Sequence, residues 1–188
     1  MRNLLLTAIF SALTVASLFA QKDETLFHKV NITGGWGGAQ IAMTNFNGEL
    51  SALRGGFGGV EFNKNWFVGG GGYSSTSLND NIGQLGETYE MNYGGLMVGY
   101  GLKSHKIIHP QATILLGGGW QQEANTNRQN IFVVQPAAGV EINVLRWFRV
   151  GLHGGYRLAM ENETLDTDQT FSGAYGSVNF KFGWSWSR

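Results

Sequence analysis

The sequence predicts an all-β chain: an eight-stranded antiparallel up-and-down transmembrane β-barrel over residues 21–188, behind a cleaved signal peptide at 1–20. Three observations lead there. Apolar residues alternate with polar residues and glycines through segments too long for ordinary strands; these segments come in an even number; and the connections between them alternate between short turns and longer polar loops. Composition agrees. The 188 residues include 29 Gly and only 14% charged residues beside 13% aromatic ones, against about 7% Gly and about 25% charged in ordinary globular chains. The glycines follow no three-residue period, which excludes collagen, and 43% apolar residues at zero net charge exclude disorder. With 13 Lys+Arg balanced by 13 Asp+Glu, there is no basic surplus for nucleic acid. There are no cysteines, so the fold stands without disulfides.

The first twenty residues, MRNLLLTAIFSALTVASLFA, carry Arg2, an apolar run from Leu4 to Val15, and Ala20 before the expected cleavage point. This is the pattern of a secretory signal. The alternative, a membrane anchor, falls short of the ~20 apolar residues a spanning helix needs.

Strands are expected at 27–43, 50–62, 66–76, 88–102, 110–122, 131–143, 147–160 and 171–186. The last three are the clearest. Phe132, Val134, Pro136, Ala138, Val140, Ile142 and Val144 share one parity, with Gln135, Glu141 and Asn143 on the other. Phe148, Val150, Leu152, Tyr156 and Leu158 then alternate with Arg149, His153 and Arg157, and Val178, Phe180, Phe182 and Trp184 with Tyr175, Ser177, Asn179 and Lys181. The first segment puts Lys29, Asn31 and Thr33 on one parity, the fourth puts Glu90 and Asn92 there, and Arg54 comes from a second segment that alternates poorly. Connections 63–65 and 144–146 are tight and 103–109 moderate, whereas 44–49, 77–87, 123–130 and 161–170 are polar and mostly longer. Short and long connections thus fall at opposite ends, and strands of this length reach or exceed the ~9–11 residues needed to cross hydrocarbon at a tilt.

Soluble barrels share this period with the faces inverted. An eight-stranded interior is just wide enough for side chains to fill, so a soluble barrel would pack bulky apolar groups inside and place charge outside. Here the apolar parity of the last three strands is nearly free of charge and the polar parity mixes isolated charges with glycine, so the apolar face is read as the lipid face. Trp66, Phe67, Tyr89, Tyr93, Tyr100, Trp147, Phe148, Phe182 and Trp184 stand near strand ends, where interfacial girdles belong.

Signal peptide, long strands, the glycine-studded segments FVGGGGY (67–73) and MNYGGLMVGYGL (91–102), and the final strand GSVNFKFGW (176–184) resemble the OmpA/OmpX-like porin family of small outer-membrane β-barrels in Gram-negative bacteria. The resemblance rests on pattern over the whole mature chain rather than on a signature motif. It implies a non-enzymatic protein of the cell outer membrane, inserted by the barrel-assembly machinery, in contact with outer-membrane lipid and lipopolysaccharide, whose outer loops meet a surface ligand or partner protein or serve envelope integrity. The family's barrel-assembly signal usually places an aromatic at the extreme C-terminus, whereas here Trp184 and Trp186 are followed by Ser187 and Arg188.

Parity gives an interior polar network of Arg54, Glu90, Glu141, Arg149, His153, Arg157 and Lys181, with Glu141, Arg149 and Lys181 near the short-turn end, Arg54, Glu90 and Arg157 near the long-loop end, and His153 between. Enclosed charges require partners, and the network reads either as a salt-bridge plug or as an ion path. Pairing about a turn centred on Leu145 sets Glu141 opposite Arg149. No cofactor or metal motif is present: GGWGG (34–38) and GGGGY (69–73) lack the ending of a phosphate loop, and Glu161, Glu163, Asp166 and Asp168 lack calcium-loop spacing and read as a solvated acidic loop or a cation site. Of the histidines, His28 is placed near the short-turn end, His105 and His109 in a short-end turn, and His153 in the lumen, so none stands at the outer rim for Ser–His–acid catalysis. Two alternatives remain, a barrel enzyme acting on lipid A or peptide and a secreted soluble barrel binding an apolar ligand.

Overall fold

A computed structural model describes residues 30–46, 49–76, 90–122, 127–161 and 171–186. Eight strands, β1 (Ile32–Phe46), β2 (Glu49–Phe62), β3 (Trp66–Thr76), β4 (Glu90–Gly101), β5 (Ile108–Gln122), β6 (Gln129–Leu145), β7 (Phe148–Glu161) and β8 (Gly173–Ser185), pair antiparallel with their sequence neighbours. β8 pairs with β1, so the sheet closes on itself and leaves no edge. The expected segments 1–20, 77–87 and 162–170 lie outside the described residues, as do His28, Lys29 and Tyr89.

Register fixes the barrel's shape. From Gly34 the paired residues run Glu61, Phe67, Gly99, Thr113, Ala137, Gly155, Tyr175 and back to β1 at Thr44. One circuit therefore climbs ten residues along β1, a stagger that requires strongly tilted strands, about 40° from the axis.

The strands alternate as pleated sheet demands. Leu152 is 62% exposed, and Ile41, Met43, Ile114, Phe132, Val140, Ile142, Val178 and Phe182 are exposed with it on the outer wall. Trp66, Tyr100, Trp147, Phe182 and Trp184 gather toward the short-turn end, Trp66 against Tyr100 at 4.9 Å and Trp147 stacked on Phe182 at 6.2 Å. Two expected girdle residues are instead inside: Phe67 and Tyr93 are buried and share the lumen with Trp36, Leu53, Tyr73, Met97 and Leu115.

The turns at the short-turn end are tied to their neighbours by hydrogen bonds. Asn63 and Lys64 take left-handed backbone conformations, φ 50° and 63°, which cost an L-residue energy unless neighbours hold them. The Asn63 amide donates to the Asn31 carbonyl at 3.0 Å and the Lys64 amide to Thr33 Oγ1 at 2.8 Å. In the next turn Asn143 Nδ2 donates to the carbonyls of Ser104 (2.9 Å) and Lys106 (2.7 Å), tying β6 to that turn. β1 extends to Phe46 and β2 starts at Glu49, so the connection expected over 44–49 shrinks to two residues.

Candidate functional site: an enclosed ion cluster

Four strands bring two acids and two cations together inside the short-turn end. Glu141 of β6 lies at the centre. Its Oε1 accepts from Arg149 Nη1 at 3.1 Å and its Oε2 from Lys181 Nζ at 3.3 Å, while His109 Nε2 stands 3.3 Å from Oε1. Glu61 of β2 supplies the second carboxylate, 3.7 Å from Arg149 Nη1, and accepts hydrogen bonds from Thr33 Oγ1 at 3.2 Å and Ser185 Oγ at 2.7 Å. All five titratable side chains are buried; Glu141 keeps 2% of its surface and Lys181 5%. The two acids and two permanent cations balance, which is the condition for holding charge away from water.

Aromatic faces complete the cage. Arg149 Cζ lies 3.8 Å from the Trp36 ring centroid, and Lys181 Nζ is 5.4 Å from Trp36 and 5.5 Å from Phe67. Arginine's planar guanidinium can stack on the indole while forking to two carboxylates, a combination lysine cannot supply. Two small cavities lie within the lumen beside the cluster, of about 20 Å³ and about 10 Å³, each about the space of one water. A wider one of about 970 Å³ opens below Arg149 at the short-turn end.

Above this layer the lumen changes character. His153 Nδ1 lies 2.6 Å from Asn179 Nδ2, and His153 Nε2 and Ser177 Oγ are buried without a hydrogen-bond partner among the described residues. Toward the long-loop end Tyr73 stacks on Tyr93 at 5.3 Å; the Tyr73 hydroxyl donates to Gln40 and the Tyr93 hydroxyl to Gln135. Arg157, fully buried, donates from Nε to the Phe171 carbonyl at 2.8 Å and from Nη2 to Thr44 Oγ1 at 3.5 Å.

Of the seven residues assigned to the interior network, the structure joins Glu141, Arg149 and Lys181 in one cluster and buries His153 and Arg157 in separate layers. Arg54 and Glu90 are corrections: both are exposed on the outer wall, and Asn92 with them. β2 turns Leu53, Phe57 and Glu61 inward, which leaves Arg54 on the outer parity with Leu50 and Val60, and β4 turns Met91, Tyr93 and Met97 inward, so in β4 the polar parity is the outer one. The rule that polar means inside fails because aromatic and sulfur side chains fill the upper lumen. Two cluster members escaped sequence reasoning. His109, assigned to a turn, belongs to β5 and points inward, on the same parity as Gln111 and Thr113; Glu61 shares its parity with Phe57 and Leu53. Extending the fifth strand by one residue would have found His109, whereas Glu61 lies inside the expected strand 50–62 and is missed because an inward Arg54 puts it on the outer parity of that strand.

No family model matches the sequence, and no curated protein matches it either. Solved structures do share the fold. Neisserial surface protein A superposes with a TM-score of 0.60 at 8% identity, over 85% of this chain and 100% of that one. The outer membrane protein OprG from Pseudomonas aeruginosa superposes with a TM-score of 0.52 at 11% identity, over 82% and 97%. At these identities the likeness is one of architecture: a small closed eight-stranded barrel.

Proposed function

We propose that this chain is a non-enzymatic integral protein of the outer membrane, its lumen plugged by the Glu61–Glu141–Arg149–Lys181 cluster and its long-loop end turned outward for surface contact or envelope integrity. The observation that carries the reading is the inversion of faces. Leucine, isoleucine, valine and aromatic side chains stand on the outer wall, while paired charges are sealed inside among glycines and aromatic rings. Water would penalise the first arrangement and hydrocarbon rewards it. The fold shared with Neisserial surface protein A and the outer membrane protein OprG supports the same location, with residues 1–20 as export signal and the barrel-assembly machinery as the inserting partner.

The non-enzymatic part draws support from the histidines: His105 is in a short-end turn, and His109 and His153 are buried in the lumen. A plug rather than an ion path is favoured by the aromatic roof over the cluster and the water-sized cavities beside it. Fractionation of expressing cells tests the proposal. The mature protein should be found in the outer membrane and should run at a lower apparent mass before boiling in mild detergent than after it. Recovery from the soluble periplasm would overturn the reading.

A further inference from the structure

Among the described residues no ion pair is formed by Arg54. It points outward from β2, flanked across the sheet by Ile41 of β1 and Ser74 of β3 and along its own strand by Ala52 and Gly56. None of these is acidic. The outward carboxylate described nearest, Glu90, is on β4, two strands away and further toward the long-loop end.

Its depth follows from register. Phe62 of β2 pairs with Trp66 of the aromatic belt, and Arg54 lies eight residues further along β2. At about 3.3 Å per residue and a tilt of about 40°, that places it about 20 Å from the belt. The apolar band of such barrels is about 25 Å tall. Arg54 therefore lies just inside the edge of the hydrocarbon on the long-loop side, with a side chain long enough to snorkel to the headgroup level. Ser74 and Asn92 follow it in register across β3 and β4, an outward polar row that climbs toward the long-loop end. Beneath the row Gly56 and Gly72 lie opposite one another and leave the wall without side chains.

We infer that Arg54 is a docking point for the phosphorylated headgroup of outer-leaflet lipopolysaccharide, with Ser74 and Asn92 facing the sugar hydroxyls. A guanidinium forks to phosphate as it does to carboxylate, and the outer leaflet is the side on which the long loops emerge. The inference rests on the outer-membrane reading above. Its test uses protein that has already passed the heat-modifiability test, so the two fail separately.

The experiment measures the thermal unfolding midpoint of refolded protein in neutral detergent with added lipid. Bisphosphoryl lipid A at a hundredfold over its Kd should raise the midpoint by about 5–11 °C. Arg54→Gln should lose most of that shift and Arg54→Lys should keep part of it, whereas Arg146→Gln, at a short-end turn, should respond as the parent does. Dephosphorylated lipid A should give little shift with any variant. An undiminished response of Arg54→Gln would overturn the inference, as would equal stabilisation by dephosphorylated lipid A or by phosphatidylglycerol. If Arg54→Gln fails to refold, the parent protein's comparison of the three lipids decides alone.

Discussion

Arg149 meets Glu141 at 3.1 Å although the two are not partners in register: Glu141 lies opposite Gly151, and Arg149 opposite Asn143. A register shift between Asn143 and Leu145 displaces the pair expected about the turn. The contact survives because Arg149 reaches diagonally across β6 and β7, over a neighbour distance that long side chains bridge. Gly151, opposite Glu141, leaves its space to the His153 ring, whose Cε1 would stand 2.6 Å from a Cβ there.

The pair should behave as a unit in unfolding. Arg149→Ala leaves Glu141 with Lys181 and His109 but takes the only cation within 4 Å from Glu61 among the described residues, and Glu141→Ala leaves Lys181 with no carboxylate at that distance. Each single change should cost about 3–5 kcal/mol, less where lumenal water screens the orphan. The double variant should lose clearly less than the sum. Urea titration of the refolded barrel in detergent micelles measures all three, and additive losses would mean that the side chains do not meet.

Conduction should be absent. Trp36 and Phe67 cover the cations of the cluster, and the Tyr73–Tyr93 stack with Arg157 crosses the lumen nearer the long loops. Planar-bilayer recordings of the parent should show no stable conductance of porin size. The Glu141→Ala, Arg149→Ala double variant should remain closed as well, because the aromatic layers do not depend on it. A persistent, weakly selective channel in the parent would remove the plug from the proposal.

Glycine tolerance should differ sharply between the two faces. Gly95 and Gly117 are partners on β4 and β5, and a Cβ on Gly95 would run into the Leu116 carbonyl oxygen and Gly117 Cα. Backbone cannot give way as a side-chain tip can, so Gly95→Ala should destabilise by about 1–3 kcal/mol. Gly176 on the outer wall of β8 has nothing within 4 Å of a Cβ, and Gly176→Ala should change stability by less than about 0.5 kcal/mol. The same urea titrations compare them; equal losses would contradict the close approach of β4 and β5.

Where alternation carried both contrast and length, the fold could be read directly. In β6 to β8 apolar side chains face glycines and polar groups for a dozen residues or more, and Glu141, Arg149, His153, Arg157 and Lys181 were all placed on the correct wall. In β2 and β4 glycine occupies both parities, which erases the contrast, and Arg54 and Glu90 were placed on the wrong one. The cluster was half legible for a related reason. Its members from β6, β7 and β8 come from the contrasting strands, while His109 sits one residue before the expected start of its strand and Glu61, inside the expected strand 50–62, is lost when Arg54 sets the parity of β2 the wrong way. What one-dimensional pattern could not convey was the diagonal reach of Arg149, because that depends on a register shift between Asn143 and Leu145.

The orientation of the barrel is open to a direct chemical test, because the chain contains no cysteine and any thiol introduced is the only one present. If the long connections face the cell exterior, Gln84→Cys, in the segment between β3 and β4, should react with a membrane-impermeant maleimide on intact cells. His105→Cys, in the exposed part of the short-end turn between β4 and β5, should react only after the outer membrane is opened. His105 suits the comparison because its neighbours anchor the turn independently of it: Ser104 Oγ donates to the Lys64 carbonyl, the Lys106 amide donates to the Lys103 carbonyl at 2.9 Å, and Asn143 holds the carbonyls on either side. The substitution should therefore leave the fold intact, and heat-modifiable migration of both variants confirms it. Labelling of His105→Cys on intact cells, with Gln84→Cys protected, would reverse the barrel. It would also place Arg54 in the inner leaflet, away from lipopolysaccharide, and so remove the lipid assignment along with the topology.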